Sequence, residues 1–392
     1  MSSDRDRYDV VVVGARAAGA AVGMLLADAG LSVLIVDRSQ YGADTLSTHA
    51  IMRAGVLQLH RWGLLDRIID AGTPPIRQTT FRYAHDGVTV PVKSAHGVDA
   101  LYAPRRTVLD ATLVDAAVAA GADVRYGVSV DDVVRDDLGR VTGIRGRSAS
   151  GQAFRAEARL VIGADGLRST VARRVGARFE RVGTAATATT YGYWSGLQTD
   201  GAEWNFRPDA VSGVLPTNNG EACVFVVATP RRIGRGGPDV LEGIVVDAWP
   251  DLAARLASAG GPRGVRTFGG QPGHIRTSGG AGWALVGDAG YYKDPVSAHG
   301  LTDALRDAEL LARAVIDIFT GDVTEQDALA GYQWRRNDLS RELFNVTDVI
   351  AGHGWTDEEI PGLLLRMSAA MTDEVEALAD LSPLARVPVT QS

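Results

Sequence analysis

The chain has 392 residues, 45% apolar and 22% charged, with a net charge of −7 and a pI near 5.6. That length suits one two-lobed, enzyme-sized body, and the acidic balance excludes a polyanion-binding surface, because nucleic-acid affinity draws on clustered Lys and Arg. No run approaches the roughly 20 apolar residues that span a bilayer, and the charged stretch Met1–Tyr8 leads straight into a strand without the apolar segment of a secretory signal.

Cys223 is the single cysteine, so neither an internal disulfide nor a thiolate zinc site is expected, and a reducing, cytoplasmic setting follows. No metal ligand set stands out. In chain order, Tyr8–Val13 is a β-branched run that predicts a strand buried on both faces, and Ala17–Ala29 has the composition of a helix. Leu31–Val36 predicts a second strand, ending at Asp37. Helices are expected over Thr48–Ala71 and Arg106–Ala120, the second with Val108, Leu109, Leu113, Val114 and Ala117 at helical spacing. Phe81–Val92 alternates apolar and polar residues, as antiparallel strands with one exposed face do. Leu160–Ile162 and Ala284–Val286 are short buried-strand candidates, each followed by a glycine turn carrying an aspartate. Thr189–Val227 is rich in strand formers and aromatic residues and predicts a second sheet, whereas the chain from Leu301 onward reads as mainly helical, with amphipathic character over Asp357–Leu384.

Gly14, Arg16, Ala18 and Gly19 form the first candidate cofactor turn. Gly14 and Gly19 occupy the outer positions of G-x-G-x-x-G between a strand and a helix, with Asp37 at the next strand end, followed by Arg38. The aspartate suits ribose hydroxyls and repels a 2′-phosphate. Arg16 replaces the middle glycine; its side chain either obstructs the pyrophosphate or turns outward and adds charge-assisted bonds to it. Two further turns follow, "GADGLRSTVAR" from Gly163 and "GDAGYYKDPVSAHGLTDALRDAELLA" from Gly287.

These three turns, in this order and spacing, resemble the flavin monooxygenases of the p-hydroxybenzoate hydroxylase fold (group A flavoprotein hydroxylases). "DTLSTHAIMRAGVLQLHRWGLLDRI" from Asp44 and "APRRTVLDATLVDAA" from Ala103 resemble helices of the same family. The resemblance implies an α/β fold, with a Rossmann-like FAD-binding domain over residues 1–73, 100–175 and 275–340. An inserted antiparallel β-sheet substrate domain would span 74–99 and 176–274, before a helical C-terminal region over 341–392. It also implies that Asp288 accepts from a ribityl hydroxyl, that Pro295 turns the chain beside the isoalloxazine, and that Gly300 and Leu301 present backbone amides. The same likeness puts Arg106 and Arg53 near the cofactor and Asp165 in a turn credited with FAD and NAD(P)H; on its own, Asp165 reads equally as a turn-stabilising residue. A helix starting near Leu301 would direct its positive end at the electron-rich edge of the reduced ring. The chain departs from the family pattern at Tyr291, where His is frequent, and at Ala298 and His299.

The implied activity is NAD(P)H-driven monooxygenation of an aromatic or polycyclic small molecule by O2 through a flavin hydroperoxide. With no second complete G-x-G-x-x-G unit, NAD(P)H binds transiently or a partner supplies reduced flavin. Ring-side candidates are His49, His299 and Lys293; a histidine shuttles protons near neutral pH or simply fills a turn, and Lys293 beside Asp294 reads equally as a surface ion pair. Tyr191, Tyr193, Trp194 and Trp204 are candidates for a flat apolar pocket or for ordinary core. The rival readings are a flavin-dependent reductase of prenyl-type alkenes and a non-catalytic FAD-binding regulator. A halogenase is disfavoured because W-x-W-x-I-P is absent. A monomer or homodimer is expected.

Overall fold

The computed structural model describes residues 7–83 and 86–387. Strand β1 (Arg7–Val13), helix α1 (Ala17–Asp28) and β2 (Val33–Asp37) open the chain, followed by α2 (Arg53–Arg61), α3 (Leu65–Asp70), β3 (Gln78–Tyr83) and β4 (Asp86–Pro91). Next come α4 (Arg106–Ala119), β5 (Asp123–Tyr126), β6 (Val128–Arg135), β7 (Val141–Ser148), β8 (Ala153–Gly163), α5 (Thr170–Val175) and β9 (Phe179–Val182). The middle holds β10 (Ala188–Ser195), β11 (Ala202–Arg207), β12 (Ala210–Pro216), β13 (Glu221–Ala228), α6 (Pro230–Ile233), α7 (Pro238–Ala248), α8 (Pro250–Leu256) and β14 (Gly260–Phe268). The last part comprises β15 (His274–Arg276), β16 (Gly279–Gly280), β17 (Trp283–Leu285), β18 (Tyr291–Tyr292), α9 (Gly300–Thr320), α10 (Glu325–Ala351) and α11 (Ile360–Ala379).

One sheet runs β16-β17-β8-β1-β2-β5, with β7 and β6 attached to β8. Its β17, β8, β1, β2 and β5 are mutually parallel, so their C-terminal ends share one edge. Val10, Val11 and Val12 are fully buried, as a strand covered on both faces requires. Small residues let α1 lie against this sheet: a Cβ at Gly23 would come within 2.4 Å of Ile35 Cδ1. Helices α1, α2, α4 and α9 share one apolar core over that face.

The second sheet runs β14-β10-β13-β12-β11-β3-β4, antiparallel except for the β3–β11 pair. Side chains alternate across it. One face, carrying Trp194, Val224 and Val226, packs on α7 and α8; the other, carrying Tyr191, Tyr193, Phe206 and Phe225, packs on α10 and α11. The parallel sheet with its helices, the second, mainly antiparallel sheet and the helical C-terminus give the mixed α/β fold expected from the sequence. No helix among the described residues is long and apolar enough to cross a membrane.

Several boundaries differ from expectation. Thr48–Ala71 is not one helix: His49 at φ +70° cannot join a helical turn, and Gly63 at φ +68° separates α2 from α3. The boundary at 340/341 falls inside the continuous helix α10. The stretch 176–274 holds three helices, α6 to α8, as well as strands. A small sheet of β9, β15 and β18 crosses the boundary at 274/275.

Candidate flavin site

Three glycine turns leave neighbouring parallel strands side by side. Val13 of β1 and Leu285 of β17 both pair with Gly163 of β8. The turns are then tied together by Ala164 N–H to Val13 O (2.8 Å), Val286 N–H to Gly163 O (3.0 Å) and Gly14 N–H to Val36 O (2.8 Å). Gly14 has φ +110°, and a Cβ there would lie 2.4 Å from Ala164 O, so the first turn touches the second at a place where only glycine fits. A Cβ at Gly287 would approach Ala18 Cβ to 2.9 Å, which brings the third turn against the first.

At the phosphate end, Arg16 is the extended N-cap residue of α1 and provides no side-chain cap, and no acceptor for the amides of Ala17, Ala18 and Gly19 occurs among the described residues. Its guanidinium turns aside, donating to Ala43 O (2.7 Å) and Asp110 Oδ2 (3.1 Å), while Arg106 grips the same carboxylate at 2.9–3.1 Å. Two cations on one anion leave one positive charge in excess beside the open helix end, which suits a diphosphate. Arg16→Gly removes one of them and frees the loop at Ala43; FAD titration of the variant is expected to give several-fold weaker binding, and tighter binding would show that the side chain obstructs. Asp37 also serves the turn: it accepts from Ala15 N–H (2.8 Å), Ser39 N–H (2.7 Å) and Ser39 Oγ (2.6 Å). Arg38 is exposed.

At the third turn, the half-buried Asp288 carboxylate has no hydrogen-bond donor among the described residues, and burial pushes its pKa up to about 6 against the pull of Lys293 and Arg106. A partly exposed carboxylate with no donor from the described residues is free to accept from a ligand hydroxyl. Asp294 is likewise raised to about 6 by burial, although Thr187 donates to it from N–H and Oγ1, each at 2.6 Å. Both carboxyls bind protons more tightly in the folded chain, so their contribution to stability is full below the ordinary value of 3.8 and is lost as pH rises through about 6. In the cofactor-free chain, Asp288→Asn is expected to flatten the fall in Tm across that window. Asp165 accepts from Ser169 Oγ (2.5 Å), Thr170 N–H (2.6 Å) and Val171 N–H (3.2 Å). Its carboxylate holds the start of α5, as the turn-stabilising alternative for this residue has it.

Pro295 begins a 3-10 turn, Ala298 follows at φ +48°, and α9 then starts without a side-chain cap. The amides of Gly300 and Leu301 find no acceptor among the described residues, and space in front of Gly300 is open. His299 and Lys293 do not stand free beside this opening. Both are buried in an ion cluster joining α9 to α11: His299 Nε2 meets Glu374 Oε2 (2.6 Å), Arg306 reaches Glu374 (2.8 Å), Asp303 (3.1 Å) and Asp307 (2.7 Å), and Lys293 pairs with Asp303. Burial pulls Lys293 down to about 7 and His299 to about 4. Lys293 is therefore no surface partner of Asp294. The carboxylates of Asp303 and Glu374 already hold two cations, so a metal ion would meet a neutralised site. Arg53 donates to Thr372 Oγ1 of α11 (2.9 Å), so it ties two helices together.

His49 is different. It is buried at φ +70°, a conformation that costs on the order of 1–3 kcal/mol for a non-glycine residue, and its Nε2 lies 2.5 Å from Tyr193 Oη. Met52 N–H donates to Thr302 Oγ1 (2.9 Å), which brings this loop against the start of α9. Tyr191, Tyr193 and Trp204 share the apolar layer that faces α10 and α11. Trp194 does not: its neighbour Tyr193 points inward, so strand alternation sends it to the opposite face, against α7 and α8. Arg105 was not expected; its guanidinium lies 3.7 Å above the Tyr193 ring. Nothing in the pair Arg105–Arg106 alone says which one faces the aromatic wall.

A groove of about 960 Å³ runs between the end of α10, the start of α11 and residues 184–186. Four of its lining residues, Ala185, Ala351, Trp355 and Leu363, also belong to the apolar layer that contains Tyr191 and Tyr193. The floor of the groove is therefore the outer side of the layer that also holds the aromatic wall.

An orphan acceptor, a surplus guanidinium and two open helix ends, gathered by three glycine turns, fit FAD and define a flavin-binding protein. The family description "FAD binding domain" matches residues 7–347, and the chain belongs to that family. It is 27% identical over 344 residues to digeranylgeranylglycerophospholipid reductase of Methanosarcina mazei, covering 82% of this chain and 78% of that protein. Among solved structures it is similar to the flavin-dependent brominase Bmp2 (TM-score 0.80, 18% identity, 95% of this chain and 93% of that one). PqsL of P. aeruginosa, solved in complex with 2-aminobenzoylacetate, gives a TM-score of 0.69 at 19% identity over 93% of this chain and 100% of that one. The protein is an FAD-dependent oxidoreductase.

Proposed function

We propose that this oxidoreductase saturates carbon–carbon double bonds in a long apolar substrate of the prenyl-chain class. The observation that carries the reading is the groove of about 960 Å³, which shares Ala351, Trp355 and Leu363 with the apolar layer next to the cofactor turns and has the size of a site for a sizeable ligand. The similarity to a reductase named for digeranylgeranyl lipid supports the same substrate class. When bound, FAD supplies the two-electron chemistry. The chain's own residues hold and insulate it: Asp288 accepts from a ribityl hydroxyl, the Arg16–Arg106–Asp110 group offsets the diphosphate charge, and the Gly300 and Leu301 amides favour negative charge at the ring edge. Helices α10 and α11 exclude water from the layer where the substrate chain lies. NAD(P)H is the reductant in this reading.

A second reading, oxygen insertion into a flat aromatic molecule, draws on the rings of Tyr191, Tyr193, Trp204 and Phe225 in that layer. One experiment separates the two. FAD-loaded protein is given NADPH or NADH with geranylgeraniol under anaerobic conditions, and separately an aromatic acid under labelled oxygen gas. The reductase reading expects a product richer in hydrogen without oxygen present; label in the aromatic product, with geranylgeraniol unchanged, overturns it.

A further inference from the structure

We infer that Tyr193 donates the proton that completes double-bond reduction, with His49 and Arg105 as its positioning residues; this rests on the reductase reading above. His49 Nε2 lies 2.5 Å from Tyr193 Oη, and the two rings stack with centroids 5.7 Å apart. His49 Nδ1 is buried and has no partner among the described residues, so one side of the imidazole is committed to Tyr193 and the other is left unpaired there. The histidine is held in its left-handed backbone conformation: its N–H donates to Ser47 Oγ (3.0 Å), and Ser47 N–H donates to Tyr191 Oη (3.1 Å). Across the Tyr193 ring, the Arg105 guanidinium sits 3.7 Å from the centroid, pinned by Glu221 (3.2 Å) and Asp44 (3.4 Å). Strain, an orphaned buried nitrogen and a stacked cation on one tyrosine are more than packing requires.

The chemistry needs such a group. The two alkene carbons take up two electrons and one hydrogen from the reduced cofactor, and one of them must receive a second hydrogen as a proton. The π bond breaks, a C–H bond forms on each carbon, and the cofactor is left oxidised. Tyr193 Oη gives the proton, and the resulting phenolate is stabilised by N–H of His49 Nε2 and by the guanidinium over the ring. When the product leaves, a solvent proton returns to Oη while the Nε2–H of His49 stays in place, so the pair recovers its starting tautomer. Arg105, Arg106 and Arg266 face the pair with Asp44 and Glu221, and Tyr191 and Cys223 flank it on the sheet. Burial and the arginines hold His49 well below its ordinary range, and burial holds Tyr193 above its own, so the phenol keeps its proton and the imidazole stays neutral near pH 7.

The test uses full-length, FAD-loaded, pre-reduced protein with geranylgeraniol in D2O. Wild type is expected to incorporate two solvent deuteriums per saturated bond, one through the exchangeable hydrogen of the reduced cofactor and one through Tyr193. Tyr193→Phe is expected to slow cofactor reoxidation by geranylgeraniol at least ~100-fold with unchanged FAD content. His49→Asn is expected to lose less and to shift the pH profile of that step. In the cofactor-free chain, Tyr193→Phe is expected to move the nitrogen NMR signal of His49 Nε2, which simple packing loss would not single out. Wild-type turnover with undiminished turnover by Tyr193→Phe overturns the donor role alone; wild type that leaves geranylgeraniol unchanged overturns the reductase reading and the donor role with it.

Discussion

Asp288→Ala is expected to weaken FAD binding by about 10- to 100-fold, the loss of a hydrogen bond to a charged acceptor of about 1.5–3 kcal/mol. The size follows from what surrounds the carboxylate. It stands in the tight turn after β17, half-buried, with no donor from the chain among the described residues, and its desolvation is already reflected in the upward shift to about 6. Removing it leaves a ligand hydroxyl unpaired and relieves no competing contact. Asp288→Asn keeps the shape and an acceptor but not the charge, so its affinity should fall between the two. Fluorescence titration of the cofactor-free chain measures both, and wild-type affinity in the alanine variant would separate the third turn from the cofactor.

Gly362→Trp is expected to raise KM for a long prenyl alcohol at least tenfold while FAD content stays at the wild-type level. Gly362 lies in α11 and lines the groove, and a Cβ there meets no atom within 4 Å, so a side chain starts into open space and a bulky one is expected to fill the groove. Replacing a helical glycine also stabilises the helix by several tenths of a kcal/mol, so Tm should hold or rise. A lower Tm would point to misfolding, but unchanged KM with intact Tm would place the substrate entrance elsewhere. Substrates too short to reach the groove should be turned over normally.

Both predictions depend on residues whose sequence signals differ in kind. Asp288 was legible in two steps: a buried strand ending in a glycine turn with an aspartate is a local pattern, and the resemblance of that turn to a flavoprotein family gave the aspartate its role. A local pattern also marked Gly14, whose positive φ and contact with Ala164 exclude any side chain. Gly362 carried no such signal: a glycine in a helix becomes informative only once the neighbouring helix and residues 184–186 form a groove around it. Trp194 lies between these cases. Its parity opposite Tyr193 was visible along one strand, but which face met α7 and which met α11 required the assembled sheet.

The ion cluster marks the same limit. Lys293 and His299 stood out by residue type, yet their partners include Glu374, far along the chain, and the pairing reverses the reading of Lys293 from a surface charge to a buried one. By itself the sequence determined the three turns and the helices and strands that carry them, because these follow from short-range backbone sterics and side-chain periodicity; the cofactor they suit was legible through their resemblance to a flavoprotein family. Only the tertiary structure decided that Asp165 accepts from the first amides of α5, that His49 meets Tyr193 beneath Arg105, and that a groove lies against the outer side of the apolar layer. Those relations join residues distant in the chain, and burial, charge pairing and open space arise only from the packing that brings such residues together.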